Sequence, residues 1–167
     1  EKINDTGFVN SMNLDTMSSQ ELAFRLLERD NTIQVIDVRN KEEYNKFSLP
    51  GAINIPLDEI TGKVSNETIK KSYKKLIFCD DDGSNSLKAA AFAKIIGNTN
   101  TMVLKGGMNE FVNTFTRIQP TDSSSIKYPE DANYIFRSTA LAKLEELSKS
   151  LKRPTTISVV KKNKGGC

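Results

Sequence analysis

Apolar and polar positions follow one another along the chain in short blocks, and five of these blocks are typical of strands. They cover residues 14–17, 32–38, 52–55, 75–79 and 101–104. The blocks at 32–38 and 75–79 are apolar almost throughout, as in strands that are buried on both faces. Turn-forming glycine, proline and polar residues bound the blocks, which supports their assignment as separate strands.

Segments with the spacing of helices separate these strands. Ser18 and Glu21 form a capping-box pattern before an apolar helical face that ends near Leu27. Further helices are predicted at residues 42–44, 86–96, 108–117 and about 130–152. Strands that alternate with helices predict a parallel α/β sheet, and such sheets bind ligands at the carboxyl ends of their strands.

Composition divides the chain into three regions. Residues 1–13 are polar and unpatterned and are interpreted as a linker, whereas residues 14–118 carry the α/β pattern. Residues 119–167 form an extension with one helix, over about 130–152, whose apolar stripe is expected to pack on the domain. A short strand is also predicted at 157–160, before a basic Gly-Gly-Cys tail.

The residue types that are absent or rare in the chain limit the reactions that it could catalyse. The chain has no histidine, so it lacks the commonest general base and the commonest metal ligand. Serine–histidine and cysteine–histidine catalysis within one chain are therefore excluded. Two cysteines, Cys79 and Cys167, are too few for a zinc cluster or a disulfide framework. We expect no cofactor and no metal.

Charge and hydropathy set the expectations for partners and location. The net charge is +3, and residues 119–167 hold nine basic and five acidic side chains. No aromatic residue is interleaved with the lysines of the tail, so we expect no nucleic-acid binding. A protein partner could bind through residues 128–167, and no apolar run approaches the roughly 20 residues of a membrane span. The chain begins at Glu1, so the compartment is not predicted, since an upstream signal or anchor could have been removed.

The candidate site is the loop after the fourth strand. It comprises Asp80, Asp81, Asp82, Gly83, Ser84, Asn85 and Ser86. A strand, a glycine-containing turn and a helix N-terminus form a cradle for an anion, because the first amides of the helix point into the turn. A Cys79 thiolate at the strand end would be the nucleophile of such a site. Three carboxylates instead lie where an anionic substrate would bind.

Three segments have an order and spacing that is specific when they are taken together. They are the strand and corner VIDVR at 35–39 with PGAINIP at 50–56, the strand–loop–helix at 76–94, and VLKGG at 103–107 with Phe111. These segments resemble the rhodanese-like sulfurtransferase family, and their order and spacing agree with it across roughly residues 14–118, about two-thirds of the chain. The resemblance implies a single rhodanese-like α/β domain, a parallel sheet flanked by helices, here with a C-terminal helical extension. It also implies a loop whose cysteine carries a persulfide.

The loop register decides which residue stands at the family's cysteine. When Gly83 and Ser86 are aligned with the family loop, Asp80 falls at that position, and Asn85 stands where a basic residue is frequent. Aligning Cys79 instead lengthens the loop by one residue, and both registers stay open. Three carboxylates would repel thiosulfate, sulfite or phosphate and raise the pKa of a neighbouring thiol.

Each of these residues also has a structural interpretation. The aspartates would cap the helix that follows, and Cys79 would be a small core residue. Asp37 and Arg39 are predicted to form a hydrogen-bonded corner rather than a site, and Phe111 is predicted to fill the core. Cys167, behind a cluster of lysines, is either an idle end or a flexible thiol whose pKa the lysines lower.

The leading hypothesis is a rhodanese-like protein with a degenerate loop, inactive or weak in catalysis, that acts as a binding or regulatory module in sulfur handling. The alternative is a thiosulfate-type sulfurtransferase, which binds a small sulfur anion and carries a persulfide on Cys79 or on Cys167. A third hypothesis is a homo-oligomeric scaffold built through the extension. The loop register separates the first two.

Overall fold

The computed structural model describes residues 2–116 and 132–151, with the backbone alone for Lys2 and 132–138. Five strands in this part of the chain form one sheet: β1 (Thr16–Met17), β2 (Ile33–Asp37), β3 (Ile53–Asn54), β4 (Lys75–Cys79) and β5 (Thr101–Leu104). Their order is β1-β5-β4-β2-β3, and all pairs are parallel. The two most apolar blocks of the sequence, which were predicted to be buried on both faces, lie side by side in the interior of the sheet. The parallel α/β prediction is confirmed.

Helices connect the strands and cover both faces of the sheet. They are α1 (Thr6–Ser11), α2 (Ser19–Leu27), α3 (Lys41–Lys46), α4 (Lys63–Lys70), α5 (Ser84–Ile95), α6 (Gly107–Thr116) and α7 (Ala132–Leu151). The predicted cap of α2 is present, because the Ser18 side chain accepts a hydrogen bond from the Glu21 amide at 3.2 Å. Gly97 follows the end of α5 with a φ of +100°, a conformation that glycine adopts without a steric cost.

Two apolar layers hold the helices on the sheet. On one face, the alanine side of α5 packs on β4 and β5, and Phe78 and Val103 are buried there. On the other face, α2, α6 and α7 cover Ile77 and Leu104, and Phe111 of α6 is buried in this layer. Complete burial of a leucine or phenylalanine side chain contributes about 1.5–3 kcal/mol, so these layers dominate the stability of the domain.

The extension packs on the domain, as its apolar stripe predicts. Within α7, Ala140 and Leu144 are buried, and the helix contacts α2 and α6. The hydroxyl of Ser148 donates a hydrogen bond to the backbone carbonyl of Ser48 at 2.9 Å. The predictions of a strand at 157–160 and of a basic Gly-Gly-Cys tail lie outside the described residues.

The amino-terminal segment differs from the prediction of an unpatterned linker over residues 1–13. It contains a 3-10 turn, Lys2–Asn4, and helix α1, both of which contact α5. Asp5 caps α1 by accepting a hydrogen bond from the Phe8 amide at 3.1 Å, and Val9 is buried. Because α1 is only six residues long and buries one of them, it has no apolar stripe that a sequence pattern could reveal.

Candidate functional site

The candidate loop lies at the carboxyl end of β4, where the sheet passes into α5. Strand β4 ends at Cys79, and α5 begins at Ser84, two residues before the predicted start. Gly83 occupies the cap position with a φ of +99° and no capping side chain of its own. The left-handed backbone at Gly83 lets the chain turn from the strand into the helix within four residues.

The carboxylate of Asp80 fills the cradle formed by this turn. Its Oδ1 accepts hydrogen bonds from the Gly83 amide at 2.8 Å and from the Ser86 hydroxyl at 2.6 Å. Its Oδ2 accepts the amide of Asn85 at 2.9 Å. The residue is 3% exposed, so water screens these bonds little. The protein's own carboxylate therefore occupies the position that the strand–turn–helix geometry offers to an anion.

The other two aspartates do not enter the cradle. The Asp81 side chain is 57% exposed, with Oδ1 at 3.5 Å from an Arg39 guanidinium nitrogen. Asp82 accepts a hydrogen bond from the Ser84 amide at 2.9 Å, and the bonds to Ser84 lower the pKa of Asp82 below its usual value. Of the three carboxylates expected to crowd the anion site, one is inside it and two lie at its rim.

Helix α6 holds the loop from its outer side. The amides of Met108 and Asn109 donate to the carbonyls of Asp80 and Asp81 at 2.7 and 2.9 Å. A Cβ atom on Gly107 would lie 2.6 Å from the Asp81 backbone, and its φ is +63°. Only glycine allows this approach, so the second glycine of the VLKGG segment has a direct role in fixing the loop.

A buried ion pair supports the loop from below. Arg39 contacts Asp37 at 2.7 Å, and the same Arg39 nitrogen donates to the Phe47 carbonyl at 2.7 Å. This arrangement confirms the predicted hydrogen-bonded corner. The sequence did not indicate that Arg39 also reaches Asp81, 42 positions further along the chain. The guanidinium thus places a positive charge 3.5 Å from a carboxylate of the loop.

Cys79, the residue before Asp80, faces away from the cradle. It is 0% exposed and belongs to the apolar cluster on the α2–α6–α7 face of the sheet. Burial, together with the negative charge of Asp37, raises the pKa of the thiol well above its ordinary value. The side chain thus has the surroundings of a core residue. Cys167, the other predicted sulfur carrier, lies outside the described residues.

The fold and the loop define a parallel α/β domain with an anion cradle after its central strand β4. The sequence matches the model of the rhodanese-like domain over residues 19–114, more than half of the chain, and the protein belongs to this family. A rhodanese domain-containing protein of Drosophila melanogaster, CG4456, is 33% identical over 90 residues, which cover 47% of this chain and 81% of that protein.

Two further similarities concern named sulfurtransferases. The human thiosulfate:glutathione sulfurtransferase is 29% identical over 108 residues, covering 58% of this chain and 92% of the relative. The crystal structure of RDL2, a single-domain sulfurtransferase of Saccharomyces cerevisiae, has a TM-score of 0.50 at 21% identity, covering 59% and 89% of the two chains. At that identity, the second similarity supports the fold alone.

The described part of the chain offers neither a cluster of metal ligands nor a helix that could span a membrane. Over residues 2–116 and 132–151, no three His, Cys, Asp or Glu side chains are grouped so that they could hold a metal ion. Across the same residues, no helix has both the length and the apolar character needed to cross a bilayer.

Proposed function

We propose that this protein is a rhodanese-like domain with little or no sulfur-transfer activity, which serves as a binding or regulatory module in sulfur handling. One observation carries the proposal: the Asp80 carboxylate accepts the two amides and the hydroxyl that line the anion cradle. Because this carboxylate is part of the chain and accepts three hydrogen bonds, it competes with an anionic substrate for the cradle at every substrate concentration.

Electrostatic repulsion also supports the proposal of little or no sulfur-transfer activity. Two unit negative charges 4 Å apart repel by about 4 kcal/mol at the effective dielectric constant of roughly 20 that suits protein sites. A doubly charged sulfur donor would meet about twice this repulsion, and Asp81 and Asp82 at the rim would add to it. The guanidinium of Arg39 offsets little of this repulsion, because Asp37 and the Phe47 carbonyl already engage it.

The burial of Cys79, the candidate nucleophile, also supports little or no sulfur-transfer activity. A thiolate, not a thiol, attacks sulfur, and burial of Cys79 disfavours the thiolate. Attack would also require the donor to reach a side chain that is 0% exposed. With this geometry, the exposed parts of the loop, Asp81 and Asp82, are what a partner would contact.

The competing candidate is an active sulfurtransferase, and the named activity of the human relative favours it. In that reaction a thiolate of Cys79 or Cys167 would attack the outer sulfur of thiosulfate. A new S–S bond would form as sulfite leaves with the electron pair of the broken bond. A carrier role for Cys167 would leave the buried Cys79 unmodified.

Thiosulfate incubation followed by mass spectrometry of the intact chain separates the two candidates. We expect the wild type to gain no sulfur on Cys79. We also expect that Cys79→Ser does not lower the rate of thiosulfate-to-cyanide transfer. A persulfide on Cys79 that Cys79→Ser removes would overturn the proposal. Added sulfur that only Cys167→Ser removes would instead identify the tail as a carrier.

A gain-of-function variant tests the role of Asp80 directly. Asp80→Cys, made in the Cys79→Ser background, places a thiol where the loop amides converge and removes the internal anion. We expect this variant to acquire a persulfide from thiosulfate, because the converging amides favour a thiolate. Asp81→Cys is the matched control, since residue 81 lies outside the cradle, and equal reactivity of the two variants would contradict the argument.

The role of the extension in partner binding is a separate part of the proposal. The part of α7 with described side chains buries Ala140 and Leu144 against the domain, so a partner would bind through the remaining surface of residues 128–167. Size-exclusion chromatography of the full chain, before and after deletion of 128–167, tests whether the extension mediates self-association. A deletion that leaves the oligomeric state unchanged rules out the homo-oligomeric scaffold.

A further inference from the structure

A cleft of about 540 Å³ lies between α3, α6 and α7, separate from the loop at 80–86. Its apolar walls are formed by Phe47, Val112 and Leu141, and none of the loop residues lines it. The volume is in the range of small-molecule sites in proteins, which are usually apolar with a few placed polar groups. The cleft therefore has the size and character of a ligand site rather than of a packing defect.

A buried hydroxyl in the wall of the cleft has no hydrogen-bond partner among the residues that the structure describes. Ser48 is 1% exposed, and its Oγ forms no hydrogen bond with any of these residues, although its backbone carbonyl accepts the Ser148 hydroxyl. Burial of a hydroxyl without a partner is unfavourable, so a polar atom of a ligand that reached this oxygen would recover a hydrogen bond. The Oγ is closed to solvent in its present rotamer, so a ligand in the cleft would bond to it through rotation of the Ser48 side chain.

Two opposite charges also line the cleft. Glu145 and Lys149 lie one turn apart on α7, and neither forms an ion pair with any described residue. Residues at i and i+4 with the acid first are well placed to pair with each other, but these two side chains do not, so neither charge is neutralised within the described part of the chain. The third charged residue of the lining, Lys46, is already paired with Glu43 at 2.8 Å.

From these features we infer that the cleft binds a small zwitterion with an apolar body, such as an apolar α-amino acid. Glu145 binds the ammonium group, Lys149 binds the carboxylate, and the apolar body lies against Phe47, Val112 and Leu141. The Ser48 hydroxyl adds one hydrogen bond to the charged end. A short apolar peptide with two free termini carries the same ammonium and carboxylate groups.

Amide chemical-shift titration of the full chain tests this site, with L-phenylalanine as the probe. We expect the shifts to be confined to residues around the cleft. N-Acetyl-L-phenylalanine lacks the ammonium and L-phenylalaninamide lacks the carboxylate, so each should bind about three- to fivefold more weakly, as expected for loss of one partly exposed ion pair. A parallel titration with phenylalanyl-alanine shows whether a free amino acid or a short peptide binds more tightly.

Charge variants on α7 assign each end of the ligand. Glu145→Gln should weaken L-phenylalanine three- to fivefold but leave the N-acetyl analogue unchanged, and Lys149→Gln should do the same for the amide analogue. Glu146→Gln and Lys143→Gln are the matched controls, because these exposed residues lie on the same helix outside the cleft. Equal effects of the cleft and control variants would overturn the inference.

Two further variants test the cavity and the hydroxyl. Val112→Trp should fill the cleft and reduce binding at least tenfold, whereas Val64→Trp, at a site that is 80% exposed on α4, should not. Ser48→Ala should weaken binding, whereas Ser19→Ala, which removes another unpartnered buried hydroxyl, should not. Shifts that map away from the cleft, or analogues that bind as tightly as L-phenylalanine, would refute the proposed site.

Discussion

Replacing Asp80 by alanine removes the carboxylate from the cradle and leaves the hydrogen-bond donors of the cradle in place. The carboxylate accepts three bonds, and a hydrogen bond to a charged group contributes about 1.5–3 kcal/mol to stability. Two effects reduce the sum: the Ser86 hydroxyl keeps its bond to the Gly83 carbonyl at 3.1 Å, and water can enter the vacated space. We therefore expect the free energy of unfolding to fall by about 3–5 kcal/mol.

Urea denaturation followed by circular dichroism measures this loss. Asp81→Ala is the matched control, because it removes an exposed ion pair with Arg39 that should contribute at most about 1 kcal/mol. Both variants change the charge of the chain equally, so the difference between them reports the buried bonds. If Asp80→Ala and Asp81→Ala were equally stable, the carboxylate would not be the group that holds the loop.

The vacated cradle should bind a small anion from solution. Formate reproduces the lost carboxylate, and an anion that binds only the folded state stabilises it by about 1.4 kcal/mol at roughly tenfold its Kd. We expect formate to raise the unfolding midpoint of Asp80→Ala above that in chloride at equal ionic strength, with no such difference in the wild type or Asp81→Ala. The same midpoint in both salts would refute the cradle interpretation.

Three further predictions concern the groups around the loop. Gly107→Ala should cost at least about 2 kcal/mol in urea unfolding and Gly97→Ala about 1 kcal/mol, because both have positive φ but only Gly107 faces backbone at 2.6 Å; equal losses would contradict this. Burial and Asp37 raise the pKa of the Cys79 thiol above its ordinary 9.0, so the unfolded state loses that proton first. The stability of the wild type relative to Cys79→Ala should then be constant below about pH 8 and fall by up to about 1.4 kcal/mol per pH unit above about pH 9, whereas a constant difference would place the thiol in water. Arg39→Lys should lose about 2 kcal/mol in the same assay because a lysine cannot maintain the forked contact with Asp37, and a stable variant would show that charge alone suffices.

Much of the fold follows from local patterns that act over a few residues. The apolar blocks at 32–38 and 75–79 became β2 and β4, because a strand without a polar face is stable only inside a sheet. The capping box at Ser18 fixed the start of α2 for an equally local reason. Helix α4 was missed because it buries a single residue, Ile69, and so has no stripe.

The contacts that support the loop could not be predicted in this way, because they join distant parts of the chain. Arg39 and Asp81 approach each other only because β2 and β4 are parallel neighbours that end at the same edge of the sheet. Gly107 meets the Asp81 backbone only because α6 begins beside that edge. Both residues belong to recognisable motifs, but the sequence carries no signal for their partners.

The sequence alone could have predicted the face of the sheet toward which the Asp80 side chain points. Successive side chains of a strand point to opposite faces, so Ile77 and Cys79 must share one face of β4 and Leu76 and Phe78 the other. The two apolar clusters divide these residues in this way. Asp80 follows Phe78 in the same alternation, toward the side that α5 covers.

Strand register therefore decides which chemistry the loop can perform. A shift of β4 by one residue would turn Cys79 toward α5 and carry Asp80 away, because every side chain of the strand would change face. Such a shift is prevented by five paired positions between β4 and β2 and three between β4 and β5. It would also place Phe78 on the face where the smaller Cys79 now packs. The sheet thus holds a carboxylate in the cradle and a thiol in the core, so a change of residue type at position 80, rather than a rearrangement of the loop, is what would bring a nucleophile to the amides.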